Sequence, residues 1–415
     1  MEIDLNDLFD ATKASMKGSG WKEEPQRFYL NFLSEIIALK KEVDDKTYKT
    51  SKGSEFILNE RGKTRYIHGG KMRDRVIRHA YCDTILNPAL EKYLIHNNGA
   101  SRKGKGITFS RKMFERDLHN FYLKYGDNDG YVGFIDLSKF YDNIDHEKVK
   151  EKVFEKLQSE DDRWLFAQFL KNFEVDVSYM TEEEYANCTS AKFNSIEYHK
   201  KITEEMKTGE KMMAKSCDIG DQISQSIGIF FPTVLDNYAK IVKGCKWYGR
   251  YMDDIYIICR SKNYLQEVME GMEKVANQCG LFVNHKKTHV FRLSSNFKYL
   301  QIKYSLTETG KVIKRINPKS ITRERRKLKA YRRQVDKGIM TYEDVEQAYK
   351  SWMGAYYPIM SKVQIFNMKK LFKDLYGKEP KWKSNSKTAH QSKRSRTDLV
   401  ISLLQSQSSR KTSQR

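Results

Sequence analysis

The chain has little of what marks secreted, membrane or disulfide-rich proteins. Its six cysteines are scattered and form no C-x-x-C pair, so we expect reduced, structural thiols rather than a zinc site or a disulfide framework. No run approaches about 18 consecutive apolar residues, and the first residues lack the basic-then-apolar order of a signal peptide. We therefore expect a cytoplasmic protein with no membrane partner.

Proline, internal repeats and negative charge are also scarce. Six prolines and an aromatic content of 12% in 415 residues favour a compact, helix-rich fold with a few strands. No repeat at a period of about 20 to 50 residues is visible, which excludes a solenoid. The chain has 54 Asp and Glu and 76 Lys and Arg, and the resulting net charge of +22 predicts an extended acidic partner such as nucleic acid.

Composition and periodicity divide the chain into segments. Residues 1–60 read as a polar, N-terminal helical extension. The next segment, 61–130, begins with basic, glycine-rich turns and continues as two helices, the first interrupted or bounded by Pro88. Residues 151–215 form a mostly helical insertion with an exposed acidic run. Residues 378–415 are poor in apolar side chains and rich in Ser, Lys, Arg and Gln, so we expect a basic, disordered tail.

The middle of the chain alternates strand and helix patterns. A strand at YVGFIDL is followed by a helical region, an apolar helix, the hairpin WYGRYMDDIYIICR, a helix ended by Gly280, and further strands at LFVNHKKTHVF and FKYLQIKYSL. This order suits an α+β sheet covered by helices on one face. The basic run SITRERRKLKAYRRQV then predicts a helix, and Thr341 and Asp344 resemble the capping box of another.

Two aspartate motifs point to chemistry. The tetrapeptide YMDD places Asp253 and Asp254 at the tip of the predicted hairpin, where adjacent carboxylates repel unless a cation or solvent relieves them. Asp136 follows the aliphatic run VGFI, and each motif alone also fits an ordinary polar turn. Together they fit phosphoryl transfer, in which carboxylates on neighbouring strands hold two divalent cations about 3.5 to 4 Å apart. The sequence therefore predicts a magnesium site.

These motifs and their order resemble those of the reverse transcriptases. FIDLSKFYDNIDH is similar to the family's first aspartate motif and YMDD to its second. IGDQISQ stands in the place of the Gln-Gly-x-x-x-Ser-Pro turn, and GLFVNHKKT matches Gly-Leu-x-x-Asn-x-x-Lys-Thr. FKYLQIKY resembles the hairpin that grips the primer end. The resemblance extends from about residue 60 to about residue 305.

The resemblance implies a fold and an activity. The fold would be an α+β right-hand polymerase with an antiparallel-sheet palm, helical fingers and a helical thumb. Fingers and palm would occupy residues 61–312, with part of the fingers returning near 151–215, and the thumb residues 313–377. The activity would be that of an RNA-directed DNA polymerase, a nucleotidyltransferase that copies an RNA template from a DNA primer with dNTP substrates and two Mg²⁺ ions.

The resemblance also implies roles for single residues. Asp136 and Asp253 would be the main metal ligands, with Asp254 assisting. Lys287 would donate a proton to departing pyrophosphate, a role that the adjacent Lys286 could take instead. The implied nucleotide-binding residues are Lys63, Arg65, Arg75, Tyr141, Gly220 and Gln225.

Alternatives remain open within that set. Tyr141 would stack under the incoming sugar, or it is a core tyrosine. Gly220 would let the backbone approach the nucleotide, and it also fits a helix-entry turn. Each of the three basic residues could equally be a solvated loop residue. A basic thumb helix would bind the template-primer backbone. Its implied contacts are Arg323, Arg325, Arg326, Lys327, Lys329, Arg332 and Arg333.

Departures from the family pattern bear on biological role. Ile219 stands where the family has Gln, and Gln225 where it has Pro; this form resembles that of diversity-generating retroelements, whose polymerases make errors at template adenines. Gln301 replaces the primer-grip glycine, which the sequence does not explain. The chain shows no RNase H-like, nuclease or Cys-rich DNA-binding region. A stand-alone or retron-like enzyme of phage defence is therefore an alternative.

Two further expectations complete the prediction. In either biological context a dedicated noncoding RNA or an accessory protein is a possible partner. A catalytically inactive nucleic-acid-binding protein on the same scaffold is a second alternative, and the intact Asp136, Asp253, Asp254 and Lys287 weigh against it.

Overall fold

The computed structural model describes residues 3–60 and 62–380. The chain divides into two compact units, Met1–Asn317 and Pro318–Arg415. The predicted basic tail lies outside the described residues from position 381 onward. In the described ranges, no helix has the length and apolar character needed to cross a lipid bilayer.

The N-terminal segment forms three helices and then a strand. The helices are α1 (Leu5–Met16), α2 (Glu23–Leu30) and α3 (Phe32–Asp44). Strand β1 (Ser54–Glu60) pairs antiparallel with β2 (Lys63–Gly69). The helical prediction was wrong for residues 54–60, and the predicted basic turns are largely β2. Local periodicity gave no sign of this pairing, in which Phe56 lies opposite Ile67.

A helical segment follows the hairpin. Its helices are α4 (Met72–Tyr81), α5 (Asn87–Glu91) and α6 (Ile107–Tyr125), and a π-helical turn, Cys82–Leu86, joins the first two. Pro88 does not end the helical segment: it lies in the first turn of α5, directly after the π-helical turn at which the regular α-helix is interrupted.

The palm sheet is antiparallel and mixed with helices. From β3 to β9 the elements in chain order are β3 (Tyr131–Ser138), α7 (His146–Phe154), α8 (Glu160–Lys171), β4 (Val175–Asp176), α9 (Glu182–Ser190), α10 (Ser195–His199), β5 (Met212–Met213), α11 (Gln222–Phe230), α12 (Thr233–Asn237), β6 (Trp247–Tyr251), β7 (Asp254–Cys259), α13 (Lys262–Gln278), β8 (Phe282–Val283) and β9 (His289–Arg292). The strand order is β6-β7-β3-β8, and β9 also pairs with β3.

Helix α13 covers the sheet through a periodic apolar face. Leu265, Val268, Met272 and Ala276 are buried. Gly133 of β3 allows this close approach, since a Cβ there would lie 2.6 Å from the sulfur of Met269. The predicted strand at LFVNHKKTHVF is two strands, β8 and β9, because a polar turn at Asn284 separates them.

A second, three-stranded sheet completes the first unit. Its strands are β10 (Phe297–Tyr299), β11 (Ile302–Leu306) and β12 (Val312–Ile316). The predicted strand FKYLQIKYSL is thus a hairpin, and β12 occupies the first residues of the predicted thumb segment. The mixed helical and antiparallel-sheet content confirms the predicted α+β polymerase fold class.

The second unit is helical where it is described. It contains α14 (Pro318–Asp336), α15 (Tyr342–Tyr356) and α16 (Lys362–Tyr376). The capping box predicted at Thr341 and Asp344 is present. Tyr349 and Phe372 stack with ring centroids 4.6 Å apart, which joins α15 to α16 in the core of this unit.

Candidate active site

Strand pairing brings the predicted aspartates together. In the β3–β7 ladder, Asp136 lies directly opposite Asp254. In the β6–β7 hairpin, Tyr251 pairs with Asp254, so Met252 and Asp253 form a two-residue turn. Met252 has a φ of +58°, in the left-handed region that non-glycine residues rarely adopt. Two neighbouring strands and one tight turn therefore present three carboxylates at the same edge of the sheet.

These carboxylates are electrostatically strained. Burial raises the pKa of Asp253, and the charge of Asp136 raises it further. Loss of surrounding water, followed by the charges of Asp253 and Asp136, raises the pKa of Asp254 to about 7. A cation would relieve this repulsion, and the hard oxygen donors fit Mg²⁺. Across residues 3–60 and 62–380, no group of three or more His, Cys, Asp and Glu side chains is arranged to hold a metal ion.

Lys287 and Asn284 hold the Asp136 carboxylate. The Lys287 Nζ lies 2.9 Å from Oδ1 and 2.7 Å from Oδ2 of Asp136. Asn284 donates from Nδ2 to the same Oδ2 at 3.1 Å, and its backbone N–H donates to the Asp136 carbonyl at 2.7 Å. Both adjacent lysines are exposed, and Lys287 is the one that contacts the aspartate. Asn284 is the Asn of GLFVNHKKT, and the motif alone did not indicate this contact.

One cavity of about 500 Å³ adjoins this cluster. Its lining includes Lys63, Arg65, Tyr141, Asp253 and Lys287. Residues from the β1–β2 hairpin and from the palm therefore face the same space. The volume and the mixture of basic, acidic and aromatic side chains fit a nucleoside triphosphate.

The remaining predicted nucleotide-binding residues lie elsewhere. Arg75, Gly220 and Gln225 line a second cavity, of about 740 Å³. Arg75 donates to the Ser15 carbonyl at 2.7 Å, so it ties α4 to α1. Ile219 lines both cavities. The sequence could not show that Arg75 lines a different cavity from Lys63 and Arg65, because strand β2 and the first turn of α4 have similar basic compositions.

Tyr141 and Gly228 lie under the YMDD turn. Burial raises the pKa of Tyr141, and Cys217 and Asp253 raise it further. A Cβ added to Gly228 of α11 would lie 3.0 Å from the Tyr141 hydroxyl and 3.1 Å from the Met252 sulfur. Gly228 therefore lets α11 approach both side chains. A glycine inside an apolar helix was the available signal, and sequence reasoning missed it.

The loop before α11 is held by two basic residues. Gly220 has a φ of +100°, which requires glycine. His68 of β2 contacts Asp218, with 2.6 Å between Nδ1 and Oδ2, and Arg78 of α4 forms a buried ion pair with Asp221. Sequence reasoning assigned no role to these four charged residues, whose partners lie more than a hundred positions away.

A buried ion pair supports the YMDD turn itself. Arg250 of β6 and Asp236 of α12 are fully buried, with 2.7 Å between Nη2 and Oδ2. Arg250 also donates to the Met252 carbonyl at 3.2 Å and to the Ile229 carbonyl at 2.8 Å. The guanidinium therefore links the strained turn to α11 and α12. An arginine within an apolar strand was the sequence signal for such a partner.

The predicted thumb residues lie on α14. This helix buries Ser320, Glu324 and Leu328 and turns most of its basic side chains to solvent. Lys327 and Arg332 are half-buried, and Arg332 pairs with Asp336 at 2.9 Å. The exposed members of the predicted set are Arg323, Arg325, Arg326, Lys329 and Arg333.

Comparison with known proteins decides the family. Residues 51–304 match the family model described as reverse transcriptase (RNA-dependent DNA polymerase). The chain belongs to the reverse transcriptase family. No curated protein matches this reverse transcriptase in sequence. A solved telomerase from Candida albicans, in complex with a TWJ fragment of telomeric RNA, is similar at a TM-score of 0.42 and 10% identity. The similarity covers 83% of this chain and 62% of the telomerase chain.

Proposed function

We propose that this chain is an RNA-directed DNA polymerase that makes cDNA from an RNA template by nucleotidyl transfer. One observation carries the proposal: Asp136 lies opposite Asp254, with Asp253 in the adjoining turn, at the wall of a cavity lined by Lys63 and Arg65. A family model that matches residues 51–304 supports it. The proposed substrates are dNTPs, and the proposed partners are an RNA template and a DNA primer.

We assign Mg²⁺, as two ions, to Asp136, Asp253 and Asp254. When bound, the metal supplies Lewis acidity and activates the attacking oxygen. The fit rests on three crowded carboxylates, two of which have raised pKa values. Substrate phosphates would complete the ligand set, as is usual for Mg²⁺.

Residues around the cavity have separate tasks. Lys63 and Arg65 bind the triphosphate, since both line the cavity and arginine suits bidentate phosphate contacts. Tyr141 packs under the sugar. Lys287 donates a proton to the departing pyrophosphate. Its ammonium group must leave Asp136 to reach the pyrophosphate, and while it stays there its positive charge competes with a cation for that carboxylate. The basic face of α14 binds the backbone of the template-primer duplex.

Primer extension on an RNA template with Mg²⁺ tests the catalytic assignment. We expect the wild type to extend the primer, and Asp253→Ala and Asp254→Ala to lose extension. Asp129→Ala is a matched control, because Asp129 is an exposed aspartate that lies before the same strand as Asp136. Full extension by the double variant Asp253→Ala, Asp254→Ala would exclude this active site.

A finer proposal concerns fidelity and biological role. We infer that the enzyme diversifies sequence by misincorporating opposite template adenines, within a diversity-generating retroelement or a similar element. The supporting observation is that Ile219, an apolar side chain where the family has Gln, lines both the nucleotide cavity and the second cavity. An antiviral enzyme and an inactive nucleic-acid-binding scaffold are the alternatives, and either context could add a noncoding RNA or accessory protein.

Misincorporation measured opposite each template base separates these roles. Wild type should err most opposite adenine, and Ile219→Gln should reduce that bias. Equal error rates opposite all four bases would reject the diversification role and favour the antiviral one. Absence of any extension, together with tight template-primer binding, would favour the inactive scaffold.

A further inference from the structure

The turn between β10 and β11 is strained at two consecutive residues. Tyr299 pairs with Ile302, so Leu300 and Gln301 form a two-residue turn. Their φ angles are +42° and +73°. Positive φ at both central positions is the pattern of a type I′ turn, which strongly prefers Asn-Gly or another glycine-containing pair. This turn has neither residue type, so something else must hold it in shape.

Arg111 supplies that support from a distant element. The guanidinium of Arg111, on α6, donates from Nε to the Leu300 carbonyl at 3.0 Å, and Nη2 donates to the same oxygen. The two N–H groups thus converge on the carbonyl of the first strained residue. A non-glycine residue in the left-handed region of φ persists only where its surroundings fix it. A charge-assisted, two-donor contact from a helix meets that requirement.

Helix α6 also fixes the body of the hairpin. Phe114, one turn after Arg111, packs against Tyr299 and Tyr304 with ring centroids 4.7 Å and 5.1 Å apart. The aromatic contacts hold the strands, and the guanidinium holds the tip. Arg111 therefore acts on a hairpin whose position relative to α6 is already set by packing.

The hairpin lies beside the catalytic strands. Tyr299 stacks on Phe134 of β3, with ring centroids 5.9 Å apart. Tyr256 of β7, two residues after Asp254, meets Tyr299 edge to face with ring centroids 5.2 Å apart. A change in the Leu300–Gln301 turn would therefore occur next to the site where the primer end must meet the aspartates.

We propose that Arg111 is a positioning residue, which holds the Leu300–Gln301 turn in its left-handed shape so that the turn presents the primer end to Asp136 and Asp253. The role rests on the proposed polymerase function. It also bears on Gln301: a glycine there would relieve one of the two positive φ angles, and this chain instead holds the turn with an arginine on another helix.

Loss and rescue test the proposal. Arg111→Ala should raise the Kd for template-primer and lower kcat about 10- to 100-fold, the scale of a small misplacement of reacting groups, while the KM for dNTP stays within about twofold. The double variant Arg111→Ala, Gln301→Gly should regain part of the lost rate, because glycine relieves the positive φ at one of the two turn residues. Lys112→Ala, which removes the neighbouring exposed charge, should behave as wild type.

Hydrogen exchange over residues 297–306 gives a readout that does not depend on catalysis. Faster exchange there in Arg111→Ala, reversed by Gln301→Gly, supports the clamp even if wild type extends no primer, in which case only the polymerase function fails. Two results would overturn the proposal. One is a wild type that extends the primer together with a folded Arg111→Ala that shows normal exchange and normal extension. The other is failure of Gln301→Gly to restore the rate lost in Arg111→Ala. If Arg111→Ala does not fold, Arg111→Met decides, because methionine keeps an aliphatic stem and has no N–H donor: wild-type primer affinity and exchange in that variant overturn the clamp, and loss of both supports it.

Discussion

Two hairpin turns of the first unit, in β6–β7 and in β10–β11, are stabilised in different ways. Both have a non-glycine residue at positive φ, Met252 in one and Leu300 in the other, and in both an arginine donates to that residue's carbonyl. Arg250 belongs to its own hairpin and is fully buried against Asp236, whereas Arg111 reaches across from α6 and is half-buried. The comparison shows that a strained turn can be fixed within the core or from outside, with different consequences for stability.

The largest expected effect is at the internal support. Arg250→Met leaves Asp236 buried without its partner, and breaking a buried ion pair costs about 3–5 kcal/mol of unfolding free energy. Urea denaturation measures the loss. Arg260→Met is the matched control, since Arg260 follows the other strand of the hairpin and its pair with Asp127 is largely exposed. The control should lose less than about 1 kcal/mol. Equal losses in the two variants would contradict the comparison.

Gly228→Ala tests whether the YMDD turn can shift to accommodate a side chain added on α11. A Cβ there would press on the Tyr141 hydroxyl and the Met252 sulfur, so Gly228→Ala should lower kcat about tenfold, or about 1.4 kcal/mol of activation free energy. Gly354→Ala is the control, because its Cβ would meet open space on α15 and should stabilise that helix by up to about 1 kcal/mol. Unchanged kcat in Gly228→Ala would show that the turn yields easily.

Lys287 differs from the two supporting arginines, because its ammonium group must leave Asp136 in the proposed reaction. Lys287→Ala frees Asp136 from its ammonium partner, so Mg²⁺ should bind up to about fivefold more tightly, a limit set by the exposure of this ion pair. Extension should slow, because the proton donor is lost. Calorimetric titration with Mg²⁺ measures the first effect. Lys286→Ala removes an adjacent exposed charge, and equal tightening in that variant would exclude direct competition at Asp136.

Local patterns were enough to find the aspartates but not their supports. VGFI followed by Asp136, and YMDD between strand-forming runs, are readable because a strand and a tight turn have short-range signatures. The antiparallel palm was implied by the resemblance of these motifs to the reverse transcriptases. The register that places Asp136 opposite Asp254 is what the structure adds.

Contacts between distant segments could not be predicted. Arg111 and Leu300 are separated by 189 positions, and Arg78 and Asp221 by 143. Nothing in the composition around an arginine shows which carbonyl or carboxylate it will meet. Strand β1 was missed for the same reason, since its stability comes from pairing with β2 rather than from its own periodicity. Long-range partners are therefore what the structure adds to the sequence.

The smallest expected effect is a pH dependence of the loop that His68 holds, which the turns held by arginine should not show. The hydrogen bond to Asp218 raises the pKa of His68, whereas burial raises the pKa of Asp218 itself. A raised histidine pKa contributes stability that is complete below the unfolded value of about 6.5 and is lost as pH rises through the folded value. We expect hydrogen exchange over residues 218–221, corrected for its intrinsic rate, to quicken as pH rises above about 6.5, by the equivalent of about 1 kcal/mol or less. Exchange at the two arginine-held turns should stay constant, because guanidinium remains charged. His68→Gln should abolish the pH dependence, and exchange that slows with rising pH would have the wrong sign for this contact.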